Sequence, residues 1–113
     1  MSEVIELTEK LGKAICESQE AKNLREARKA LNAQKDVIQL LNDYQAQSDK
    51  VAKLEEERKP VEVEDKHKLQ ELHDKLVSSD LFKKFTAAQV EYVDMMRRVN
   101  QVLRKHLAET ERD

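Results

Sequence analysis

One apolar stripe dominates the last third of the chain: Phe82, Phe85, Gln89, Tyr92, Met96, Val99 and Leu103 follow at alternating steps of three and four residues. A strand would repeat every two residues, whereas a three-four alternation is the seam one helix offers another in a left-handed packing. Both phenylalanines and one of the two tyrosines are committed to it. These seven residues are therefore the expected oligomer or partner interface. Leu81, Ala88, Met95 and Val102 widen the stripe beyond the needs of a two-helix seam, and the excess is assigned to another subunit.

The rest of the chain offers little besides helix. Glycine and proline each occur once in 113 residues, so turn chemistry for hairpin strands is nearly absent. Charged and hydrophobic residues each make up 39%, with 4% aromatic. That balance suits long amphipathic helices that bury one stripe and solvate the remainder. Helices of this kind give a thin core, and completing it across a subunit boundary is the expected remedy. The reading is an all-α single domain over 1–113, a long antiparallel helical hairpin with additional N-terminal helices. Oligomerisation, as a homodimer or tetramer, is expected to complete the bundle.

Five segments are expected. The first, 3–17, sets Val4, Leu7, Leu11, Ala14 and Ile15 on one side, with Glu3, Glu6 and Glu9 suited to the positive end of the helix dipole. Ser18 is a fitting cap for the second, 19–32, where the chain bends or stops. Residues 32–36 form a short connection with Asp36 as the next cap. The third segment, 37–58, carries Val37, Leu40, Leu41, Tyr44, Val51 and Leu54 and spans roughly 33 Å. Pro60 then forces a break, so the tip of the hairpin lies near 59–63. A fourth segment, 64–77, turns Leu69, Leu72 and Leu76 inward. Ser79 or Asp80 caps the fifth, 80–109. The two serine breaks echo each other: Ser18-x-x-Ala21-Lys22-x-Leu24 resembles Ser79-x-x-Phe82-Lys83-x-Phe85. General helix-start chemistry accounts for this, as would a pseudo-symmetric pair of helix entries.

With 21 basic and 23 acidic residues the formal charge is −2, so no global field recruits nucleic acid or anionic lipid. No stretch reaches membrane-spanning length and the start lacks a cationic flank before an apolar run, which together imply a cytoplasmic protein. Locally, residues 22–35 hold Lys22, Arg25, Arg28, Lys29 and Lys35 against Glu26, a net +4 from five bases less one acid. Lys22, Arg25 and Lys29 share a helical face, and Arg97, Arg98, Arg104 and Lys105 form a second basic group. Pairing with acidic neighbours is the simple account of both groups. RNA-backbone contact by Lys22, Arg25, Lys29, Arg97, Arg98 and Arg104 is the alternative, and it lacks exposed aromatics for base stacking.

Cys16, the one cysteine, rules out an internal disulfide and reads as a small, partly buried apolar residue. His67 and Glu71 have a four-residue spacing, which in so charged a segment is a surface pair rather than a metal site. No Ser/His/Asp set, glycine-rich phosphate loop or isolated carboxylate pair stands out. No catalytic, metal or cofactor residue is assigned, and the chain is not expected to be an enzyme.

Glu17 to Ala27, together with Leu40-Leu41-Asn42-Asp43-Tyr44, resembles the YlbF/YmcA/YheA family of small bacterial helical proteins. So does Ser78-Ser79-Asp80-Leu81-Phe82-Lys83-Lys84-Phe85 with the stripe that follows. The resemblance covers nearly the whole chain and implies an all-helical subunit pairing through its long helices. It also implies a regulatory adaptor in a complex that directs an endoribonuclease in messenger RNA processing and affects competence, sporulation and biofilm formation. Members with iron–sulfur clusters rely on cysteines, some near the C-terminus. This chain runs from Arg104 to Asp113 with none, and Cys16 alone cannot supply the thiolates of a cluster. It therefore resembles the cysteine-poor YheA-like branch.

Two functions follow from these readings. The first is a non-enzymatic cytoplasmic regulatory adaptor, self-associating and docking a protein partner through its helices. The second is a structural or holdase-like coiled-coil protein that engages unfolded chains. The tip offers only Val61 and Val63 for that task.

Overall fold

A computed structural model describes residues 2–111. Five helices account for almost all of them: α1 (Glu3–Glu17), α2 (Gln19–Asn32), α3 (Lys35–Glu56), α4 (Val63–Val77) and α5 (Asp80–Thr110). No strand occurs among the described residues. The helices distribute over two compact units. One joins the chain up to Ala27 with the chain from Phe85 onward, and the other is Arg28–Lys84.

In the second unit α3 and α4 pack as an antiparallel hairpin. Leu31, Leu72 and Leu76 are buried, and the apolar positions of α3 from Val37 to Leu54 are half-buried. Gln47, the one buried polar residue described, occupies the gap between Tyr44 and Val51 in the α3 stripe. Its Nε2 donates to the backbone carbonyl of Asp65 at 2.9 Å and lies 3.4 Å from the Asp65 carboxylate. Lys50 Nζ donates to the same carboxylate at 3.0 Å. These bonds hold the carboxyl of Asp65 below its usual range, Lys50 contributing most, while partial burial pulls the other way.

The hairpin turns earlier than Pro60 requires. α3 stops at Glu56, and Arg58 adopts a left-handed φ of 57°. Lys59 N–H bonds the Leu54 carbonyl at 2.8 Å and Arg58 N–H bonds the Glu55 carbonyl at 3.1 Å. That is a Schellman closure with arginine where glycine is usual. The expected helix end at 58 is thus replaced by a closed C-terminus one turn before the proline. At the other end, the cap is Gln34 rather than Asp36. Asp36 lies inside the first turn, where its charge still complements the dipole.

The first unit contains α1, the start of α2 and the greater part of α5. Its buried residues are small, Ala21 and Ala88. No residue of α1 is buried. A single residue separates α1 from α2. Ser18 ends α1 in extended backbone (φ −64°, ψ 154°), with its N–H and its hydroxyl both donating to the Ile15 carbonyl. The same hydroxyl oxygen accepts from Ala21 N–H at 3.2 Å, capping α2. Ser79 repeats the capping bond at the start of α5, accepting from Phe82 N–H at 3.2 Å. Both breaks also close with a backbone bond at 3.0 Å, Lys22 N–H to Ser18 and Lys83 N–H to Ser79.

Candidate protein-interaction surface

Along α5 the stripe is only partly covered within the chain. Phe82, Phe85, Tyr92, Met96 and Val99 are half-buried, whereas Gln89 and Leu103 are exposed. Ala88 takes the buried place beside Gln89. The reason is geometric: a strict seven-residue repeat drifts about 20° per heptad around a straight helix. The covered face therefore centres on Ala88, Tyr92 and Val99, and Gln89 falls at its margin. Beyond Val99 the cover ends, leaving Val102, Leu103 and Leu107 exposed.

Val90 and Val93 on α5 are exposed as well, and a further exposed apolar surface of this unit lies on α1. Val4, Ile5 and Leu7 are 69%, 53% and 55% exposed, far above what an inward stripe would show. Between α1, the start of α2 and α5 runs an open groove of about 790 Å³. Leu11, Met95, Val99, Val102 and Leu103 line it with apolar surface. Gln19, Asn23, Glu20, Glu91, Asp94 and Arg98 supply its polar margin. A smaller hollow of about 360 Å³ opens along α5 at Tyr92, Met96, Arg97 and Arg104. Sequence reasoning placed the α5 stripe but took the α1 stripe as an ordinary helix face.

Lys22, Arg25, Lys29, Arg97, Arg98 and Arg104 are all exposed, and Arg25 and Arg97 make side-chain contacts. Arg25 reaches back to the end of α1, where its Nη2 donates to the Cys16 carbonyl at 3.0 Å and its Nη1 lies 3.7 Å from Sγ. α1 has no base in its own last turn, so Arg25 supplies the cation that helix C-termini favour. Arg97 pairs with Asp94 at 3.2 Å. Lys22 and Lys29 stand on the face of α2 expected for them, and Arg98 and Arg104 border the two hollows. Cys16 is exposed, against the expectation of partial burial, because nothing buries the α1 face that carries it. Glu71 pairs with Lys75 at 3.1 Å rather than with His67. His73 instead sets its ring against Tyr44, with centroids 6.3 Å apart.

Residues 4–108 match the family described as "Control of competence regulator ComK, YlbF/YmcA". The chain belongs to the YlbF/YmcA family. A solved YlbF/YmcA-like fold is found in a protein of unknown function (DUF964) from Bacillus stearothermophilus. The two superpose with a TM-score of 0.73 over 99% of this chain and 98% of that one, at 13% identity. At that identity the likeness speaks for the fold alone. No curated protein matches the chain. The YlbF/YmcA iron–sulfur cluster does not fit the donors present: Cys16 is a single thiol, and its Sγ faces a guanidinium. Among the described residues no group of three or more His, Cys, Asp or Glu is placed to hold a metal. No helix of the described residues is long and apolar enough to cross a membrane.

Proposed function

We propose that this YlbF/YmcA-family chain is a non-enzymatic cytoplasmic regulatory adaptor. It self-associates and docks a protein partner through its helices, in RNA-processing or developmental regulation. The observation that carries the reading is the exposed apolar surface of the first unit, on α1 and on α5 beyond Val99. Exposed apolar surface of that kind on an otherwise heavily charged protein supports an interaction role. The family's description as controlling the competence regulator ComK supports a regulatory role. RNA contact is less supported, since Arg25 and Arg97 already engage Cys16 and Asp94.

The test is co-purification of the full-length chain from native lysate, with native mass measurement of what elutes. A protein recovered in stoichiometric amount, and lost when Leu7 or Val102 is changed to Glu, is the expected result. Recovery of no stoichiometric partner under several growth conditions, or of one indifferent to both changes, would count against the adaptor role.

A further inference from the structure

Past Val99 the long helix α5 leaves the cover of its unit, and residues 101–110 are all exposed. From Met95 to Ala108 it carries Arg97, Arg98, Arg104 and Lys105 and no acid, until Glu109 ends the run. Arg97 is taken up by Asp94, so Arg98, Arg104 and Lys105 carry the local field. Val102, Leu103 and Leu107 are 58%, 45% and 59% exposed. At 3.6 residues per turn they continue the line of Met95, Met96 and Val99 into an apolar arc of roughly 140°. Arg98 and Lys105 lie roughly 40–60° past one edge of that arc, and Arg104 roughly 60° past the other.

That placement separates the occupants such a face could take. In the heptad register that sets Met96, Val99 and Leu103 at a seam, the three bases fall at the outer b and c positions. The flanking e and g positions, which meet a partner helix, hold Met95, Asn100, Val102 and Leu107 and no charge. An acidic helix seated on this seam would therefore leave the cations in water. A nucleic acid would reach them, but no aromatic side chain follows Tyr92 to stack on its bases. A bilayer surface meets both parts at once. A helix sunk about 5–10 Å into the headgroup boundary buries an apolar arc of this width, while lysine and arginine stems on its flanks rise to the phosphates. The net charge of −2 gives no long-range attraction, so the contact is local, within a screening length of about 10 Å. α1 is no part of it, since Glu3, Glu6 and Glu9 all precede its first lysine, Lys10.

We infer that the end of α5 makes a peripheral contact with an anionic bilayer. Val102, Leu103 and Leu107 enter the headgroup boundary, and Arg98, Arg104 and Lys105 hold lipid phosphates. The contact goes beyond the adaptor reading: it needs no protein partner, and it sets the chain against the cytoplasmic leaflet, where anionic lipid is concentrated.

Sedimentation of the full-length chain with phosphatidylglycerol vesicles, against phosphatidylcholine vesicles, tests it. Binding to the first, absent from the second and weakened by added salt, is expected. Arg104→Gln combined with Lys105→Gln should weaken it about tenfold or more, since each base near an anionic surface is worth roughly fivefold. Val102→Ser combined with Leu107→Ser should weaken it about fivefold or more, through the lost apolar area. Lys22→Gln combined with Lys29→Gln, on the basic face of α2, should leave it unchanged. Helical circular dichroism should persist in all three, because the side chains replaced are exposed. If a variant nonetheless loses helicity, Leu107→Trp is read instead. The chain has no tryptophan of its own, so the emission of this one must shift to the blue on phosphatidylglycerol vesicles. No binding to phosphatidylglycerol, equal binding to phosphatidylcholine, or an unshifted emission overturns the inference. A loss through Lys22 and Lys29 overturns it in favour of α2. Binding that needs Arg104 and Lys105 but is indifferent to Val102 and Leu107 overturns it in favour of plain charge attraction, which single-stranded RNA would also meet. The assay contains no partner protein, so its failure leaves the adaptor role standing, and a missing partner leaves the bilayer contact standing.

Discussion

At the scale of single residues, two polar side chains set local structure out of proportion to their size. Ser18 accepts from Ala21 N–H and donates to the Ile15 carbonyl, so one hydroxyl serves two helix ends. Ser18→Ala is expected to lower stability by about 1 kcal/mol, read as a shift in the urea midpoint; an unchanged midpoint would mean that water replaces the cap. Asp65 gives a pH signature. Its carboxyl is held low mainly by Lys50, so its stabilising contribution is present above the unfolded aspartate value and is lost as pH falls through the folded one. Lys50→Met should therefore destabilise the chain at neutral pH, with the gap to wild type closing towards about pH 2. A gap that stays constant across a pH series of thermal melts would remove Asp65 from the account. The serine caps were legible because cap chemistry is local. Gln47 was readable in principle, since the α3 stripe needs an occupant between Tyr44 and Val51, but a polar side chain there does not announce its burial.

Among the elements, the hairpin shows where local signals run out. Pro60 pointed to the break, yet the chain had already closed α3 through Arg58 in the left-handed region. The run Glu55-Glu56-Glu57-Arg58-Lys59 contains no glycine or asparagine to mark that position. The left-handed conformation costs a non-glycine residue about 1–2 kcal/mol. Arg58→Gly is expected to recover part of that, about 0.5–1 kcal/mol, the rest being offset by the freer unfolded chain. Chemical denaturation checks the sign; a destabilised variant would mean that the arginine side chain contributes more than its backbone strain takes away. Asp36 failed as a cap for a related reason: an acid favours the first turn as well as the cap, so its presence locates the helix start only to within two residues.

For the whole molecule, the class was legible and the distribution of cover was not. Apolar spacing finds a stripe but does not say what covers it, and α1 and the end of α5 have stripes that the chain leaves open. Tyr92 and Met96 separate the two cases, because both are half-buried within the chain. Tyr92→Glu places a charge on a partly desolvated surface at a cost of several kcal/mol, about 2–4 by transfer arguments. Both native mass and helix content should fall; if both survive, the seam is solvated and carries no assembly. The one-residue joint at Ser18 has a consequence for recognition. A wall made by an unburied helix would ordinarily have to be ordered when something binds against it, and that ordering opposes affinity. Here the joint has no spare residue and is bonded on both sides, by Ser18 and by Arg25, so the direction of α1 is set before anything arrives. Two glycines inserted after Ser18 should keep every groove side chain in the protein but free the direction of α1, and so weaken binding chiefly through entropy, a difference that calorimetry can read.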